Sequence, residues 1–333
     1  MIHKRDAKDW AQEHMKGLWT SPMFPFTEDF RLDEAGIRKN VEYMLGCKAD
    51  GIGFGFSEPW VCTQAERKRA MEVTVDAVGK KVPCYLHATD HSVAETINLI
   101  KHAEGVGADA VMVWAPYEWA KNQEMAAEYF EYIASKVDIA MFAYNTLHSG
   151  IGLTPETLAR IARIPNICAI KDALNDVPHV VRTQELCGKL AVVSDPHEHN
   201  LLAMTCQFKH RLMLGTTSVF LLQSPHYQPI LEYYHLAVQG REAEAAVKFF
   251  ELKPLRDVWF GIYEGLWKKE IASHPLPFIK YWMDLNGMSA GPVRPPMKQL
   301  SESEKAWFRG RLAASGWFEK LFPQRGQVLK AAA

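Results

Sequence analysis

Short, continuously apolar runs alternate with amphipathic segments from residue 17 to about residue 240. Eight of these runs have the length of strands, and the segments after them have the 3.6-residue spacing of helices. Strands that are buried on both faces, as in a parallel sheet covered by helices, are apolar throughout rather than alternating. The predicted strands are Leu18–Phe24, Gly51–Gly55, Pro83–Ala88, Ala110–Ala115, Ile139–Asn145, Ile167–Ala173, Ala191–Ser194 and Arg211–Thr216.

Helix start and stop signals support the segments between the strands. Thr63 followed by Glu66, and Ser92 followed by Glu95, have the spacing of a capping box. Gly105 and Gly188 lie where helices should end. The predicted helices are Ala35–Leu45, Gln64–Val78, Val93–Glu104, Gln123–Ser135, Thr157–Ala162, His179–Leu186, Leu201–Phe208 and Pro225–Val238.

Eight strand–helix units over roughly 220 residues predict a (β/α)8 TIM barrel, an α/β fold. A doubly wound open sheet is the alternative, but no Gly-x-Gly-x-x-Gly turn follows the first strand. Beyond residue 240 the pattern is helical, with helices over Glu242–Trp267 and Phe278–Asn286 and again near Glu302. We therefore expect an N-terminal segment at 1–16, a barrel at 17–240 and a C-terminal helical extension at 241–330.

Composition narrows the class of protein. The 333 residues are 48% hydrophobic and 23% charged with a net charge of −1, which is typical of a globular protein and gives no electrostatic basis for binding nucleic acid or an anionic membrane. The six cysteines are scattered, which favours a reduced setting. The charged N-terminus has no signal-peptide pattern, and no apolar run reaches membrane-spanning length. We expect a cytoplasmic protein.

The most informative residue is Lys171, which ends an apolar strand one strand along from the strand that ends with Tyr144. Carboxyl ends of barrel strands meet at one mouth, so the amine and the phenol should lie within reach of each other. Removal from water lowers the pKa of a lysine and makes its amine a nucleophile. The pair indicates Schiff-base chemistry on a carbonyl substrate. The structural alternative is a lysine that reaches solvent beside a packed tyrosine.

Other polar residues fall at the predicted strand ends and are candidates for binding a substrate. Histidines and acids among them also allow a metal site, although the first strand, which ends Trp19-Thr20-Ser21, lacks the His-x-His of metal-dependent hydrolase barrels. We therefore expect no metal. The candidate substrate-binding residues are Phe56, Ser57, Glu58, His87, Glu118, His197 and Thr217, and the further potential metal ligands are Asp90, His91, Asp195, Glu198 and His199.

The chain resembles the dihydrodipicolinate synthase / N-acetylneuraminate lyase superfamily from about Gly17 to about Leu300. The segments that carry the resemblance are Phe54–Glu58, Glu66-Arg67, Ala115-Pro116-Tyr117, Tyr144-Asn145, Ile170-Lys171-Asp172 and Gly291–Pro296. The resemblance implies a homotetramer of barrels with helical extensions. It also implies a class I lyase without a cofactor, in which Lys171 forms an imine with pyruvate or another 2-oxo acid while Tyr144 moves protons.

Three departures from the family pattern bear on the substrate. Gly55 stands where a relay threonine is expected, Glu118 stands where a second relay tyrosine is expected, and His148-Ser149 falls where an arginine holds a dicarboxylate aldehyde. A missing cation weakens carboxylate binding. These departures disfavour dihydrodipicolinate synthesis. Ser57 or Glu118 is a candidate replacement for the lost relay.

Phe56, Trp19 and Pro196-His197-Glu198 are more similar to the hydratase-aldolase branch, whose substrates are aryl-substituted 2-oxo acids such as hydroxybenzylidenepyruvate. The resemblance therefore implies a substrate with a bulky, aromatic or otherwise apolar part, with Phe56 against the ring and backbone N–H groups of Phe56 and Ser57 on the carboxylate. Two alternatives stay open. A sugar-acid dehydratase or aldolase would use His87, His148 and Ser149 for hydroxyl groups, and a barrel that has lost turnover would bind a small molecule only.

Overall fold

Eight parallel strands form one sheet in the computed structural model, which describes residues 1–215, 217–267, 274–325 and 329. Thr216, the last residue of the eighth predicted strand, lies outside the described residues. The hydrogen-bonded order is β7-β6-β5-β4-β3-β2-β1-β8. The strands are β1 (Gly17–Thr20), β2 (Gly51–Phe54), β3 (Cys84–His87), β4 (Ala110–Val113), β5 (Ala140–Asn145), β6 (Ile167–Asp172), β7 (Val192–Ser194) and β8 (Leu212–Leu214).

A serine side chain bridges the two strands at the ends of this order, β7 and β8. The buried Ser194 hydroxyl donates to the carbonyl of Leu212 at 3.1 Å and accepts from the N–H of Leu214 at 2.7 Å. These two hydrogen bonds join β7 to β8, the strands at the two ends of the order, through a side chain. The predicted TIM barrel is confirmed.

Helices follow the strands and continue past the barrel, as the pattern predicted. The helices are α1 (Ala7–His14), α2 (Glu34–Gly46), α3 (Gln64–Val78), α4 (Val93–Gly105), α5 (Gln123–Ser135), α6 (Pro155–Ala162), α7 (Val177–Cys187), α8 (Glu198–Phe208), α9 (Ser218–Leu221), α10 (Pro229–Val238), α11 (Glu242–Glu251), α12 (Lys253–Trp267), α13 (Pro275–Asn286), α14 (Glu302–Ala314) and α15 (Phe318–Leu321). No described helix is both long enough and apolar enough to cross a membrane.

Two helix predictions were wrong. The single helix expected over Glu242–Trp267 is broken at Leu252 into α11 and α12. Pro254, the second residue of α12, has no N–H to donate to the preceding turn, so the helix cannot continue through it. The helix expected from Pro225 begins instead at Pro229, and the short α9 precedes it.

The N-terminal segment forms a helix that the strand–helix pattern did not predict. Helix α1 covers the amino ends of the strands, where its Lys8 amine donates to the carbonyl of Leu190 at 3.2 Å, just before β7. Trp10 stacks on Phe142 with ring centroids 6.5 Å apart and meets Trp19 edge-on at 6.3 Å. Aromatic side chains therefore fill the barrel at the amino ends of its strands, and the end formed by the carboxyl ends of the strands stays open to carry a site.

Candidate active site

Lys171 and Tyr144 lie side by side at the carboxyl ends of β6 and β5, where they are register partners. The Lys171 amine is 4.6 Å from the centroid of the Tyr144 ring and 5.9 Å from that of Phe56. The lysine is 3% exposed, and burial lowers its pKa to about 7. A large fraction of this amine is therefore neutral and nucleophilic at physiological pH.

Thr146 supplies a hydroxyl to Tyr144. Burial raises the pKa of the phenol, and a hydrogen bond from the Thr146 side chain acts in the opposite direction. The Thr146 hydroxyl also accepts from the backbone N–H of His148 at 3.3 Å, and the threonine is buried. The hydroxyl that hydrogen-bonds the phenol thus comes from the residue two places after Tyr144, and a relay through Ser57 or Glu118 stays a prediction.

A pocket of about 640 Å³ opens at the carboxyl ends of the strands and exposes the Lys171–Tyr144 pair to substrate. Of the residues predicted to bind substrate, Phe56, Ser57, His197 and Thr217 line it. The other lining residues are Met23, Trp60, Thr146, His148, Ala173, Asn175, Pro196, Glu198, His199, Ser218, Leu222, Arg256, Trp259, Phe260, His274, Pro275, Leu276 and Ile279.

Three predicted binding residues lie off this pocket wall, and Glu58 is the first. It is buried beneath the loop after β2, with a carboxylate oxygen 3.6 Å from the amine of Lys280 in α13. Burial raises its pKa to about 7, although the nearby Lys280 cation opposes the rise. Glu58 is therefore buried against Lys280 and is not among the residues that line the pocket.

His87 is buried within a stack of rings. Its imidazole lies 4.2 Å from the ring of Trp114 and 5.2 Å from that of Phe56, and burial lowers its pKa well below the ordinary histidine value. Its Cβ packs close to Gly55, whose φ of +95° belongs to the region that favours glycine. Gly55 thus stands where the family pattern has a threonine, and the backbone conformation at this position disfavours any residue with a side chain.

Glu118 lies at the outer rim and is paired with a neighbour. Its carboxylate is 2.8 Å from His91 Nδ1, and its side chain is 51% exposed. The hydrogen bond from His91 lowers the pKa of this carboxyl group. This carboxylate is therefore solvated and paired with His91, and it is not among the residues that line the pocket.

The loop after β7 and helix α12 together form one wall of the pocket. Arg256 makes a bidentate pair with Glu198, with N–O distances of 2.6 and 2.8 Å, and Tyr233 donates to the same carboxylate at 2.7 Å. Next to this pair, the rings of Phe260 and His199 meet edge-on at 5.0 Å. The positive charge of Arg256 is neutralised here, so the wall offers aromatic and imidazole groups to a ligand.

Sequence reasoning missed the contribution of the helical extension to the site. Arg256, Trp259 and Phe260 of α12, with Leu276 of α13 and its N-cap residue His274, line the pocket more than 80 residues after Lys171. The spacing of Arg256, Trp259 and Phe260 places the three residues on one face of a helix. That pattern is equally typical of a helix packed against a core. Thr146 had a local signal, since it closely follows Tyr144-Asn145.

The potential metal ligands are used in other ways. Asp195 accepts from His197 Nδ1 at 2.7 Å and from the amide of Asn200 at 2.8 Å, and His199 Nε2 is 3.1 Å from Asn175. Among the described residues, no group of three or more His, Cys, Asp or Glu side chains is arranged to hold a metal ion.

Known proteins are similar to this chain in sequence over most of its length. The model of the dihydrodipicolinate synthetase family matches residues 14–315. A 4-hydroxy-tetrahydrodipicolinate synthase of Acidiphilium cryptum is 30% identical over 296 residues, covering 88% of this chain and 95% of that protein. One from Methanopyrus kandleri is 29% identical over 325 residues, covering 94% and 99%.

Solved structures show the same fold. A dihydrodipicolinate synthase from Thermotoga maritima has a TM-score of 0.78 at 25% identity and covers 91% of this chain and 99% of its own. A prophage protein of E. coli K12 from the dihydrodipicolinic acid synthase family, in complex with pyruvate, has a TM-score of 0.78 at 23% identity, with coverages of 90% and 98%.

Proposed function

Since this chain belongs to the dihydrodipicolinate synthetase family, whose members are aldolase-type lyases, we propose that it makes or breaks a carbon–carbon bond in a 2-oxo acid through an imine on Lys171. One observation carries the proposal: a buried amine whose pKa is lowered to about 7 lies 4.6 Å from the ring of Tyr144 at the base of a pocket of about 640 Å³.

Lys171 and Tyr144 have distinct parts in the proposed reaction. The neutral amine adds to the ketone carbon, and the resulting carbinolamine loses water to give an imine. Where the substrate is an unsaturated 2-oxo acid, water first adds across its C=C bond and supplies a hydroxyl on the carbon that becomes the aldehyde. That hydroxyl then loses a proton, the carbon–carbon bond breaks, its electron pair moves into the imine to form an enamine, and the aldehyde leaves. Protonation of the enamine and hydrolysis of the imine then release the 2-oxo acid and restore the amine. Tyr144 moves the protons, and Thr146 connects the phenol to the pocket.

The loop after β2 is suited to the carboxylate of the 2-oxo acid. Phe56 and Ser57 line the pocket beside the Lys171 amine, and backbone N–H groups in such a loop can bind an anion. Glu58, buried against Lys280, holds the loop from behind. The pyruvate complex of the E. coli prophage protein agrees with a ligand of this class.

The other end of the pocket favours a bulky aldehyde with aromatic character. Phe56, Trp60, Trp259 and Phe260 are among its lining residues, and the charge of Arg256 is already paired with Glu198. A dicarboxylate aldehyde would lack a dedicated cation on this wall. The proposed substrate is therefore an aryl-substituted 2-oxo acid, the substrate class of the hydratase-aldolase branch.

A second candidate is a sugar-acid dehydratase or aldolase. Four histidines line the pocket, namely His148, His197, His199 and His274. Burial lowers the pKa of His148, His199 and His274, so these rings are neutral at pH 7 and can both donate to and accept from hydroxyl groups. A polyhydroxylated aldehyde would use them.

Trapping of the imine tests the proposal directly. The protein is incubated with pyruvate, reduced with borohydride and digested, and mass spectrometry is expected to find the adduct on Lys171. Lys280 is the internal control, because it is a second buried lysine with a lowered pKa but is paired with Glu58. Absence of an adduct, or an adduct on Lys280, would overturn the proposal.

Turnover on a panel of substrates separates the candidate functions. The panel contains an aryl-substituted 2-oxo acid, a sugar acid, and pyruvate with aspartate semialdehyde for dihydrodipicolinate synthesis. An adduct on Lys171 without turnover of any of them favours a small-molecule-binding barrel. Light scattering of the same preparation checks the proposed homotetramer.

A further inference from the structure

The residues that follow the catalytic pair are hydrogen-bonded to each other. Asn145 follows Tyr144, Asp172 follows Lys171, and the two are register partners on β5 and β6. The Asn145 amide donates to the Asp172 carboxylate at 2.9 Å, and both side chains are buried. This side-chain hydrogen bond joins β5 and β6 immediately after the residues that carry the phenol and the amine. It therefore holds the two strands in the register that places Tyr144 beside Lys171.

Asn145 also closes the loop that carries Thr146 and His148. Its carbonyl oxygen accepts from the N–H of Leu153 at 2.8 Å, and its amide donates to the Leu153 carbonyl at 3.1 Å. The side chain thus pairs with Leu153 as a neighbouring strand would. All three bonds are satisfied only when the amide nitrogen faces the two acceptors. A carboxylate in this position cannot replace the amide donors.

His179 of α7 completes the arrangement. Its Nδ1 lies 2.8 Å from the Asp172 carboxylate and its Nε2 lies 2.9 Å from the Leu153 carbonyl. Both ring nitrogens face acceptors, and only the doubly protonated ring donates from both. The hydrogen bond with Asp172 accordingly raises the pKa of His179. Thr183 adds a third donor to Asp172 at 3.0 Å.

We propose that Asn145, Asp172 and His179 are positioning residues that hold the Lys171 amine and the Tyr144 phenol in register and fix the Thr146 loop over them. The proposal rests on the proposed function, because it assigns these residues a task in imine formation. None of the three lines the pocket. They act through the pair and do not touch substrate.

We call the hydrogen-bonded set of Asn145, Asp172 and His179 the clamp. Asn145→Asp tests it with almost no change in side-chain size. The new carboxylate faces the Asp172 carboxylate and the Leu153 carbonyl, so two attractive bonds become repulsive. Displacement of reacting groups by about 1 Å costs about 10²-fold in rate, and we expect kcat and the rate of borohydride trapping to fall by about that factor. KM for pyruvate should stay close to that of the unaltered protein, since the Phe56–Ser57 loop is untouched.

The double variant Asn145→Asp with Asp172→Asn is the rescue. It exchanges the two side chains, so the amide on β6 can donate to the carboxylate on β5 while its oxygen still accepts from His179 and Thr183. One bond between the strand ends is restored, and we expect the double variant to trap pyruvate faster than Asn145→Asp alone. Asp138→Asn is the matched control, because it removes another Asp–His contact, of 2.9 Å to His3, at the amino end of β5. Its trapping rate should equal that of the unaltered protein.

Folded variants, judged by circular dichroism, decide the outcome. A folded Asn145→Asp protein that traps pyruvate at the original rate overturns the clamp, while failure of the unaltered protein to form any adduct overturns the proposed function as well. If Asn145→Asp does not fold, Thr183→Val carries the test, since it removes one donor to Asp172 without changing charge. Loss of one hydrogen bond to a charged group predicts about tenfold slower trapping, and an unchanged rate rejects the proposal.

Discussion

At the scale of single residues, two buried lysines show how environment decides chemistry. Lys280 lies 3.6 Å from the Glu58 carboxylate and donates to the Pro292 carbonyl at 2.7 Å, and this carboxylate opposes the lowering of the Lys280 pKa by burial. Lys171 is buried beside aromatic rings, and burial is the cause that lowers its pKa to about 7. The same side chain is therefore paired with a carboxylate at one site, and at the other it has the environment of the nucleophile that we propose.

Replacement of Lys171 by methionine should remove activity and increase stability. Burial lowers the folded-state pKa of Lys171 to about 7, so between pH 7 and the ordinary lysine pKa the unfolded chain binds more protons and stability rises with pH. At pH 7, Lys171→Met should unfold with about 2–4 kcal/mol more free energy, because each pKa unit corresponds to about 1.4 kcal/mol. Urea unfolding checks this, and the difference should shrink at pH 9.5. A less stable variant would indicate a structural lysine.

The Thr146 hydroxyl is expected to matter for proton transfer. Thr146→Val keeps the shape of the side chain but removes the group that hydrogen-bonds Tyr144. Positioned proton relays contribute roughly 10²–10⁴-fold, and we expect kcat to fall by about 10²-fold. Thr146→Ser, which keeps the hydroxyl, should retain most of the turnover measured with the same substrate. Equal turnover of the valine and serine variants would exclude a relay at this position.

At the scale of elements, the strands end earlier than their apolar runs. The first predicted strand, Leu18–Phe24, is observed only over Gly17–Thr20, because the chain leaves the sheet and Phe24 packs on Phe54 at 4.7 Å. Hydrophobicity reports burial, and buried residues continue into the loops of the barrel mouth. The barrel is joined between β7 and β8 by the Ser194 side chain.

Loss of the Ser194 hydroxyl should weaken that junction. In Ser194→Ala the Leu212 carbonyl and the Leu214 N–H each lose a buried partner, so we expect a loss of about 1–3 kcal/mol in unfolding free energy. Denaturant unfolding measures the change. Ser135→Ala is the control, since its exposed hydroxyl donates to the Tyr132 carbonyl at the end of α5. Equal effects of the two substitutions would argue against a role of Ser194 in holding the barrel together.

At the scale of the whole molecule, the extension is part of the site and not an appendage to it. Helix α12 brings Arg256, Trp259 and Phe260 to the pocket, and the bidentate contact between Arg256 and the buried Glu198 holds the helix on the barrel. The identity of the aldehyde is then expected to depend on the extension, whereas the imine chemistry depends on the barrel.

Removal of the Arg256 charge should separate the contribution of the extension, which bears on the aldehyde, from that of the barrel, which bears on imine formation. Arg256→Met leaves the buried Glu198 carboxylate without its cation, and breaking such a pair costs about 3–5 kcal/mol of stability. We expect a lower Tm and a higher KM for the aldehyde, while Lys171 still traps pyruvate. Arg241→Met, which removes an exposed pair with Glu244, should change stability by less than about 0.5 kcal/mol. A parallel loss of trapping would show that α12 also supports the lysine.

The sequence by itself determined the barrel, the order of its strands and the position of the Lys171–Tyr144 pair. It could do so because parallel strands and amphipathic helices have local periods, and because strand ends fall at one mouth once the barrel is inferred. The placement of Phe56, Ser57, His197 and Thr217 followed from the same rule.

Only the tertiary structure decided which polar residues face the pocket. Glu58, His87 and Glu118 also follow strands, but one pairs with Lys280, one is enclosed by rings and one points to the rim. The wall formed by α12 and the hydrogen bond between Asn145 and Asp172 depend on side-chain directions and on segments distant in the chain. Such contacts have no period along the sequence, because they arise only when separate elements pack against each other.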